Sequence, residues 1–299
     1  MRIGLVGLGN MGSPMAARIR AAGLELGVFD TRGDVVCAVA ESCGAAAAGS
    51  LATLAARSEV VVTMLPDGAA VHRVVLGPGD RLLDGLAPGA VVVDMGSSSP
   101  TGTRALGAEL ARHGIGMLDA PVSGGVRRAA DGTLAVMVGG DPALVARCDP
   151  LFRAVGQQVF ACGPLGSGHA MKALNNLVSA TGLLAAAEAL VVGRRFGLDP
   201  GRMLEVLNAS TGRNHATEHK LAQFVLSRRF DAGFSLALML KDLTTALDLA
   251  RDTGTPAPLS AECRALWTQA AAALEPGADH TAIVRWLESI AGVTLDGVA

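Results

Sequence analysis

Arg2-Ile3-Gly4-Leu5-Val6-Gly7-Leu8-Gly9-Asn10-Met11-Gly12 opens the chain, and the reading of these residues decides the fold. The apolar run up to Val6 predicts a first strand, and helical spacing follows from Met11 to Ala22. Between them lies G-x-G-x-x-G, and a strand–turn–helix setting is what gives that spacing physical meaning. Gly7 permits a tight turn, Gly9 lets a pyrophosphate approach bare backbone, and Gly12 lets the helix pack close to the strand. The helix start turns N–H groups and the positive end of its dipole toward such a phosphate. The expected contacts are Gly7, Leu8, Gly9, Asn10, Met11 and Gly12. Asp30 ends the next strand, 18 residues after Gly12, where an acid accepts hydrogen bonds from ribose hydroxyls. A carboxylate there repels a 2′-phosphate, so NAD is expected over NADP. Arg32, two residues on, leaves NADP possible.

Working outward, RIGLVG, LELGVFD, EVVVTML, AVVVDMG, GIGMLDAP, LAVMVGG and QQVFACG read as strands up to residue 163. They are short apolar runs with few charges, the pattern of strands covered on both faces. Helical segments such as Met11–Ala22 and Pro100–His113 lie between them. The fold class is therefore α/β, with an N-terminal doubly wound parallel sheet of Rossmann type. After Gly163 the strand signal stops. A long, nearly all-apolar helix is expected from Gly168 to about Gly197 and, being apolar all round, it is expected to be buried. A new helix starts at Asp199-Pro200, and others cover about 235–253, 258–274 and 279–291. The expected domains are 1–163, a dinucleotide-binding unit, and 164–299, an all-helical unit for substrate and oligomerisation.

Composition narrows the function. Half of the 299 residues are hydrophobic and 17% are charged, with a net charge of −2. A near-neutral balance excludes a basic nucleic-acid face and a polybasic membrane surface. Glycines and charges interrupt the apolar stretches before about 18 residues, so no transmembrane helix is expected, and the start lacks the cleavage site of a signal peptide. Five scattered cysteines with no CxxC pair read as reduced thiols in a cytoplasmic protein.

Four motifs carry a specific resemblance: GLVGLGNMGSPMA; Asp119-Ala120-Pro121-Val122-Ser123-Gly124-Gly125 with Asp131-Gly132-Thr133-Leu134; Gly166-Ser167-Gly168-His169-Ala170-Met171-Lys172-Ala173-Leu174-Asn175-Asn176; and Lys241-Asp242-Leu243. In this order they resemble the β-hydroxyacid dehydrogenases, the family of 3-hydroxyisobutyrate dehydrogenase and tartronate semialdehyde reductase. The resemblance implies a hydride exchanged between a nicotinamide cofactor and a small β-hydroxy acid or its semialdehyde, with no metal and with a homodimer or homotetramer. It makes Lys172 the catalytic residue. Lys172 and Asn176 stand four apart on one helical face. Met171, Leu174 and Leu177 would desolvate that lysine and draw its pKa from about 10.4 toward about 7–8, suited to moving a hydroxyl proton. Asn176 offers a donor and an acceptor to a substrate group. Ser123, Gly124 and Gly125 resemble the substrate loop, whose backbone N–H groups can hold a carboxylate. By the same resemblance Met64, Leu65, Pro66 and Ser97 contact the cofactor, and Lys241 lies near its nicotinamide end.

Two stretches depart from the family pattern. Arg127 and Arg128 follow the glycine turn, where family members often have smaller residues. Ser210-Thr211-Gly212-Arg213-Asn214-His215 replaces a Ser-Ser-Gly with a nearby Trp, which implies a more polar pocket than a methyl-branched acid needs. His215-Ala216-Thr217-Glu218-His219 spells the H-x-x-E-H zinc pattern, but its loop setting argues against a metal. Three alternatives stay open: an imine reductase, which generally carries Asp or Tyr at the lysine position; a decarboxylating 6-phosphogluconate dehydrogenase, which shares the Gly-x-Gly-His-x-x-Lys motif but is a much longer chain; and a non-catalytic dinucleotide-binding scaffold.

Overall fold

A computed structural model describes residues 1–296. Its residues form two compact units, Met1–Lys172 and the chain from Ala173 on. In the first unit all seven strands expected from sequence are present: β1 (Arg2–Val6), β2 (Glu25–Phe29), β4 (Val60–Thr63), β5 (Val91–Asp94), β6 (Gly116–Asp119), β8 (Leu134–Gly139) and β9 (Gly156–Gly163). Two short ones add to them, β3 (Ala46–Ala47) and β7 (Val122–Ser123). Two residues are too few for a hydrophobic period to show, so neither was legible beforehand. The helices of this unit are α1 (Gly12–Ala21), α2 (Gly33–Cys43), α3 (Leu51–Ala56), α4 (Gly68–Leu76), α5 (Pro100–Ala111), α6 (Gly125–Asp131) and α7 (Pro142–Val155).

The strands run β3-β2-β1-β4-β5-β6-β8-β7, with β9 also on β8. From β3 to β6 every pairing is parallel, in the order of a dinucleotide-binding sheet. The expectation of a parallel sheet needs one amendment. β8 runs antiparallel to β6 and β7, and only β9 is parallel to it. Buried strands read as apolar whichever way they run, so direction was invisible in the pattern. β4 and β5 are buried at every position, as strands covered on both faces must be.

α8 (Ser167–Phe196) is the long helix, matching its expected span within a residue at each end. The two compact units divide inside it, at Lys172/Ala173. Its first turn packs onto the sheet: a Cβ built on Gly168 would lie 2.2 Å from the Met137 carbonyl oxygen and 2.9 Å from that of Asp119.

In the second unit α9 (Pro200–Ala209), α10 (Leu236–Asp252), α11 (Pro258–Ala273) and α12 (Ile283–Ala291) share one core with one side of α8. Their core includes Leu183, Leu190, Leu221, Leu243 and Trp267. Asp199 caps α9 by accepting a hydrogen bond from the Arg202 N–H at 2.7 Å, the role its place before Pro200 predicts. An eleven-residue π-helix over Ala216–Leu226 was not expected. Two expectations about α8 are corrected. It is not buried all round, because Leu174, Val178, Val192 and Phe196 lie on its exposed side. It also contains a window long and apolar enough to cross a membrane, but half of that window is buried inside the protein, as in the core helix of a globular unit.

Asp279 ties the end of this unit together. Its carboxylate accepts from the N–H groups of Gly233 and Thr281, each at 2.9 Å, and from the Thr281 hydroxyl at 2.6 Å. Burial by itself would push this carboxyl up, but hydrogen bonds from His280 and Thr281 outweigh it and hold it far below the usual carboxylate range. A depressed folded value stabilises the fold fully above the unfolded value of about 3.9, and the contribution is lost as pH falls below it. The urea midpoint of the wild type is therefore expected to fall more steeply between pH 5 and about pH 3 than that of Asp279→Asn. Parallel slopes would contradict this.

Candidate active site

The carboxyl ends of adjacent parallel strands gather the predicted cofactor residues on one edge of the sheet. Gly7 leaves β1, Asp30 leaves β2, Met64 to Pro66 leave β4, and Ser97 follows β5. Backbone hydrogen bonds hold these exits in register: Gly7 N–H to the Phe29 carbonyl at 2.9 Å, Met64 N–H to Val6 at 2.9 Å, and Met95 N–H to Thr63 at 2.9 Å. In an open sheet of this order, ligands bind outside the carboxyl ends where the strand order reverses, here beside β1.

The three glycines of the opening motif differ in what constrains them. Gly7 has a φ of 97°, and a Cβ on it would lie 2.4 Å from the Met64 carbonyl oxygen. A Cβ on Gly12 would lie 1.9 Å from the Gly7 carbonyl oxygen. The fold thus excludes side chains at both positions. A Cβ on Gly9 meets nothing within 4 Å. Its lack of a side chain leaves open space over the loop, which fits the approach of a phosphate group. Leu8 is buried, Gly9 and Asn10 are exposed, and Met11 stands at the start of α1.

Asp30 accepts from the Leu8 N–H at 2.8 Å and from the Arg32 N–H at 3.0 Å. Burial raises its pKa, but these bonds and the Arg32 guanidinium outweigh that and keep it below the usual carboxylate range. Asp30 is therefore anionic at neutral pH. Arg32 Nε lies 3.3 Å from it on a side chain that is mostly exposed. Met64 and Leu65 are partly buried, Pro66 is exposed, and Ser97 is partly buried. The neighbouring Ser98 hydroxyl donates to Asp94 at 2.6 Å.

Sequence reasoning missed two buried carboxylates here. Asp94 accepts from the Thr63 hydroxyl and the Gly96 N–H, each at 3.0 Å, as well as from Ser98. Asp119 accepts from the Gly166 and His169 N–H groups, each at 2.7 Å. Gly166 directly precedes α8 and His169 lies in its first turn, so the carboxylate sits at the positive end of that helix. His169 is fully buried, with Nδ1 2.8 Å from the Thr103 hydroxyl and Nε2 3.6 Å from Asp94. Asp119 stands at the head of the quoted Asp-Ala-Pro-Val-Ser-Gly-Gly motif, which was the available signal. Its partner, 47 residues on, was not visible in the chain order.

Lys172 follows on α8, three residues after His169, and is partly buried. Met171 and Leu174, expected to desolvate it, are 43% and 40% exposed. Ser123 ends β7, and Gly124 and Gly125 follow with φ of 136° and 71°. Both glycines are exposed at the start of α6. Arg127 and Arg128 are exposed on that helix, with Arg127 4.0 Å from Asp131.

In the second unit the Asn176 amide is already engaged. Its Nδ2 donates to Asp242 Oδ2 at 2.5 Å, and its Oδ1 accepts from Asn175 at 3.1 Å. Asp242 is buried and lies 3.3 Å from the Lys241 ammonium. The amide is thus oriented by an acid that sequence reasoning quoted but gave no role. His215 and His219 approach to 5.0 Å between ring centroids at the start of the π-helix, and Arg213 is exposed, 3.7 Å from Glu218. Among the described residues no cluster of three or more His, Cys, Asp or Glu is placed to hold a metal.

Known proteins match along nearly the whole chain. A family model described as the NAD binding domain of 6-phosphogluconate dehydrogenase matches residues 2–163. One described as NAD-binding of NADP-dependent 3-hydroxyisobutyrate dehydrogenase matches residues 166–287. A 2-(hydroxymethyl)glutarate dehydrogenase of Eubacterium barkeri is 36% identical over 297 residues, 99% of this chain and 98% of the relative. The 2-hydroxy-3-oxopropionate reductase of Escherichia coli is 35% identical over 291 residues, 97% and 98% of the two chains. Among solved structures, 3-hydroxyisobutyrate dehydrogenase of Mycobacterium tuberculosis with L-serine aligns with a TM-score of 0.87 at 35% identity, covering 96% of this chain and 99% of the other.

The glycines provide a test of the phosphate loop. Gly12→Ala is expected to lose about 1–3 kcal/mol of stability or more through overpacking, with a lowered melting temperature. Gly9→Ala is expected to melt within about 0.5 kcal/mol of wild type yet bind NADH about tenfold more weakly in a fluorescence titration. Unchanged binding by Gly9→Ala would contradict the assignment.

Proposed function

This chain belongs to the 3-hydroxyisobutyrate dehydrogenase family, and from that premise we propose that Lys172 and Asn176 serve a NAD-dependent oxidation of a small β-hydroxy acid, or the reverse reduction of its semialdehyde. The observation that carries the reading is the start of α8, pinned by Asp119, with Lys172 and then Asn176 one turn apart. Relatives named for 2-(hydroxymethyl)glutarate and for 2-hydroxy-3-oxopropionate support small hydroxy acids as the substrate class.

The open cradle at Gly9 and the anionic Asp30 fit a dinucleotide. Leu8 to Gly12 would hold its pyrophosphate, Asp30 its ribose hydroxyls, and Met64 to Pro66, Ser97 and Lys241 its middle and nicotinamide end. When bound, the nicotinamide group supplies or accepts the hydride. Lys172 takes the hydroxyl proton in oxidation and returns it in reduction. Asn176, its amide oriented by Asp242, holds the hydroxyl group, and Ser123, Gly124 and Gly125 hold the carboxylate. NAD is favoured over NADP because Asp30 presents a negative charge where the 2′-phosphate would lie, and Arg32 is drawn to that same acid.

The test is absorbance at 340 nm with a panel of β-hydroxy acids, NAD or NADP, and wild type beside Lys172→Ala. Wild type is expected to turn over at least one acid, with NAD preferred. Lys172→Ala is expected to lose about 100-fold or more in turnover while binding NADH as before. Full activity in Lys172→Ala would overturn the assignment, and a wild type that binds NADH but oxidises no acid would favour a scaffold.

We also infer a homodimer or homotetramer. A run of exposed apolar residues on α8, Leu174, Val178, Val192 and Phe196, supports burial against a second copy of the chain. Light scattering is expected to give a mass of two or four times 30.2 kDa, and a monomer mass would contradict it.

A further inference from the structure

Arg127 and Arg128 follow the glycine turn where family members often have smaller residues, and the fold sends these two side chains different ways. Arg127 faces Asp131 at 4.0 Å on a side chain that is almost wholly exposed. Arg128 stands four residues after Gly124, and helical side chains lean toward the N-terminus of their helix. Its stem therefore lies over Gly124: a Cβ built there would stand 2.5 Å from the Arg128 Cδ and 2.9 Å from its Cβ. The φ of 136° and this cover both keep a side chain from that position. The next glycine is open instead, since a Cβ on Gly125 would meet nothing within 4 Å. The turn thus carries an arginine stem on one glycine and open space beside the next. Among the described residues no hydrogen bond or ion pair engages the Arg128 guanidinium. A guanidinium is a permanent cation, and the stem sets this one beside the exposed turn Gly124-Gly125.

We propose that Arg128 is a specificity-determining residue whose guanidinium binds the acid group of the substrate over the Ser123-Gly124-Gly125 turn. The proposal rests on the reading of that turn as the carboxylate site. Both oxygens of a carboxylate can accept from the fork of a guanidinium, and lone pairs remain for backbone N–H groups and the Ser123 hydroxyl. The planar donors of arginine match a planar acid better than a lysine ammonium does. The class selected is a hydroxy compound that ends in an ionised oxyanion, above all a carboxylate. The uncharged amide of the same molecule is alike at its hydroxyl end and leaves the guanidinium without a counter-charge. Such discrimination acts on affinity and not on the hydride step, because the acid group keeps its charge from ground state to transition state.

Calorimetry of the NADH-loaded protein tests this with 3-hydroxypropionate, the smallest β-hydroxy acid, and 3-hydroxypropionamide, its neutral counterpart. With the cofactor already reduced, neither is oxidised. Wild type is expected to bind the acid about tenfold more tightly than the amide or better. Arg128→Met keeps an unbranched stem over Gly124 and removes the charge. Because Arg128 is exposed, this variant is expected to melt with wild type. It is expected to lose about tenfold in affinity for the acid and none for the amide. Arg128→Lys is expected to retain part of the preference. Arg127→Met, which removes the same charge one residue away, is expected to retain all of it. In turnover, Arg128→Met is expected to raise KM for an acid with little change in kcat. Equal binding of acid and amide by wild type, or a preference that Arg128→Met keeps, would overturn the proposal. An equal loss in Arg127→Met would overturn it too, by reducing the effect to the charge of the helix as a whole. A wild type that oxidises no acid would count against the broader functional reading, whereas normal turnover with an unaltered KM in Arg128→Met would count against Arg128 alone.

Discussion

The Asp119 carboxylate at the start of α8 is the constraint on which the first unit's chemistry depends. It is fully buried, and a buried charge persists only where hydrogen bonds replace water. The Gly166 and His169 N–H groups supply them at 2.7 Å, and both belong to a helix end whose donors have no partner inside the helix. Each side thus satisfies the other. The exchange fixes where α8 begins and how it is rotated, and so the position of Lys172, two residues into the next turn. Thr103 and Asp94 flank His169 within the same buried group, which links the helix to α5 and to the end of β5.

The sequence made the first unit legible because its determinants are local. Each strand is a short apolar run, and Gly7, Gly9 and Gly12 mark a turn whose backbone geometry tolerates little else. What stayed hidden was non-local or too short. β7 has two residues, the antiparallel direction of β8 leaves no mark on a buried strand, and Asp119 and Gly166 are 47 positions apart. The π-helix was missed for a different reason. Its buried residues, Ala216, Thr217, Lys220, Leu221 and Val225, include a lysine and a threonine and so leave no clear apolar stripe, and the Ser-Thr-Gly-Arg start suggested a loop.

α8 shows how composition can mislead about burial. Read as apolar all round, it was expected to be enclosed. Within the second unit one side carries Leu183, Leu184, Ala187 and Leu190 into the core, while Val178, Val192 and Phe196 stay exposed. A third, polar side holds Asn176 and Ser179, each engaged by another element. Hydropathy sums over these sides and does not separate them. The same averaging explains why Lys172, flanked in sequence by Met171 and Leu174, has neighbours that turn outward. Asp242, read from sequence only as part of a family motif, orients Asn176 because two helices far apart in the chain pack together.

Tracing one hydrogen tests the central claim most directly. A β-hydroxy acid that the protein oxidises would be supplied with deuterium on its hydroxyl-bearing carbon, and both products examined by mass spectrometry. The account predicts that the deuterium is recovered in the reduced nicotinamide dinucleotide and is absent from solvent, with one deuterium per molecule oxidised. Deuterium released to water, or oxidation without labelled cofactor, would contradict it.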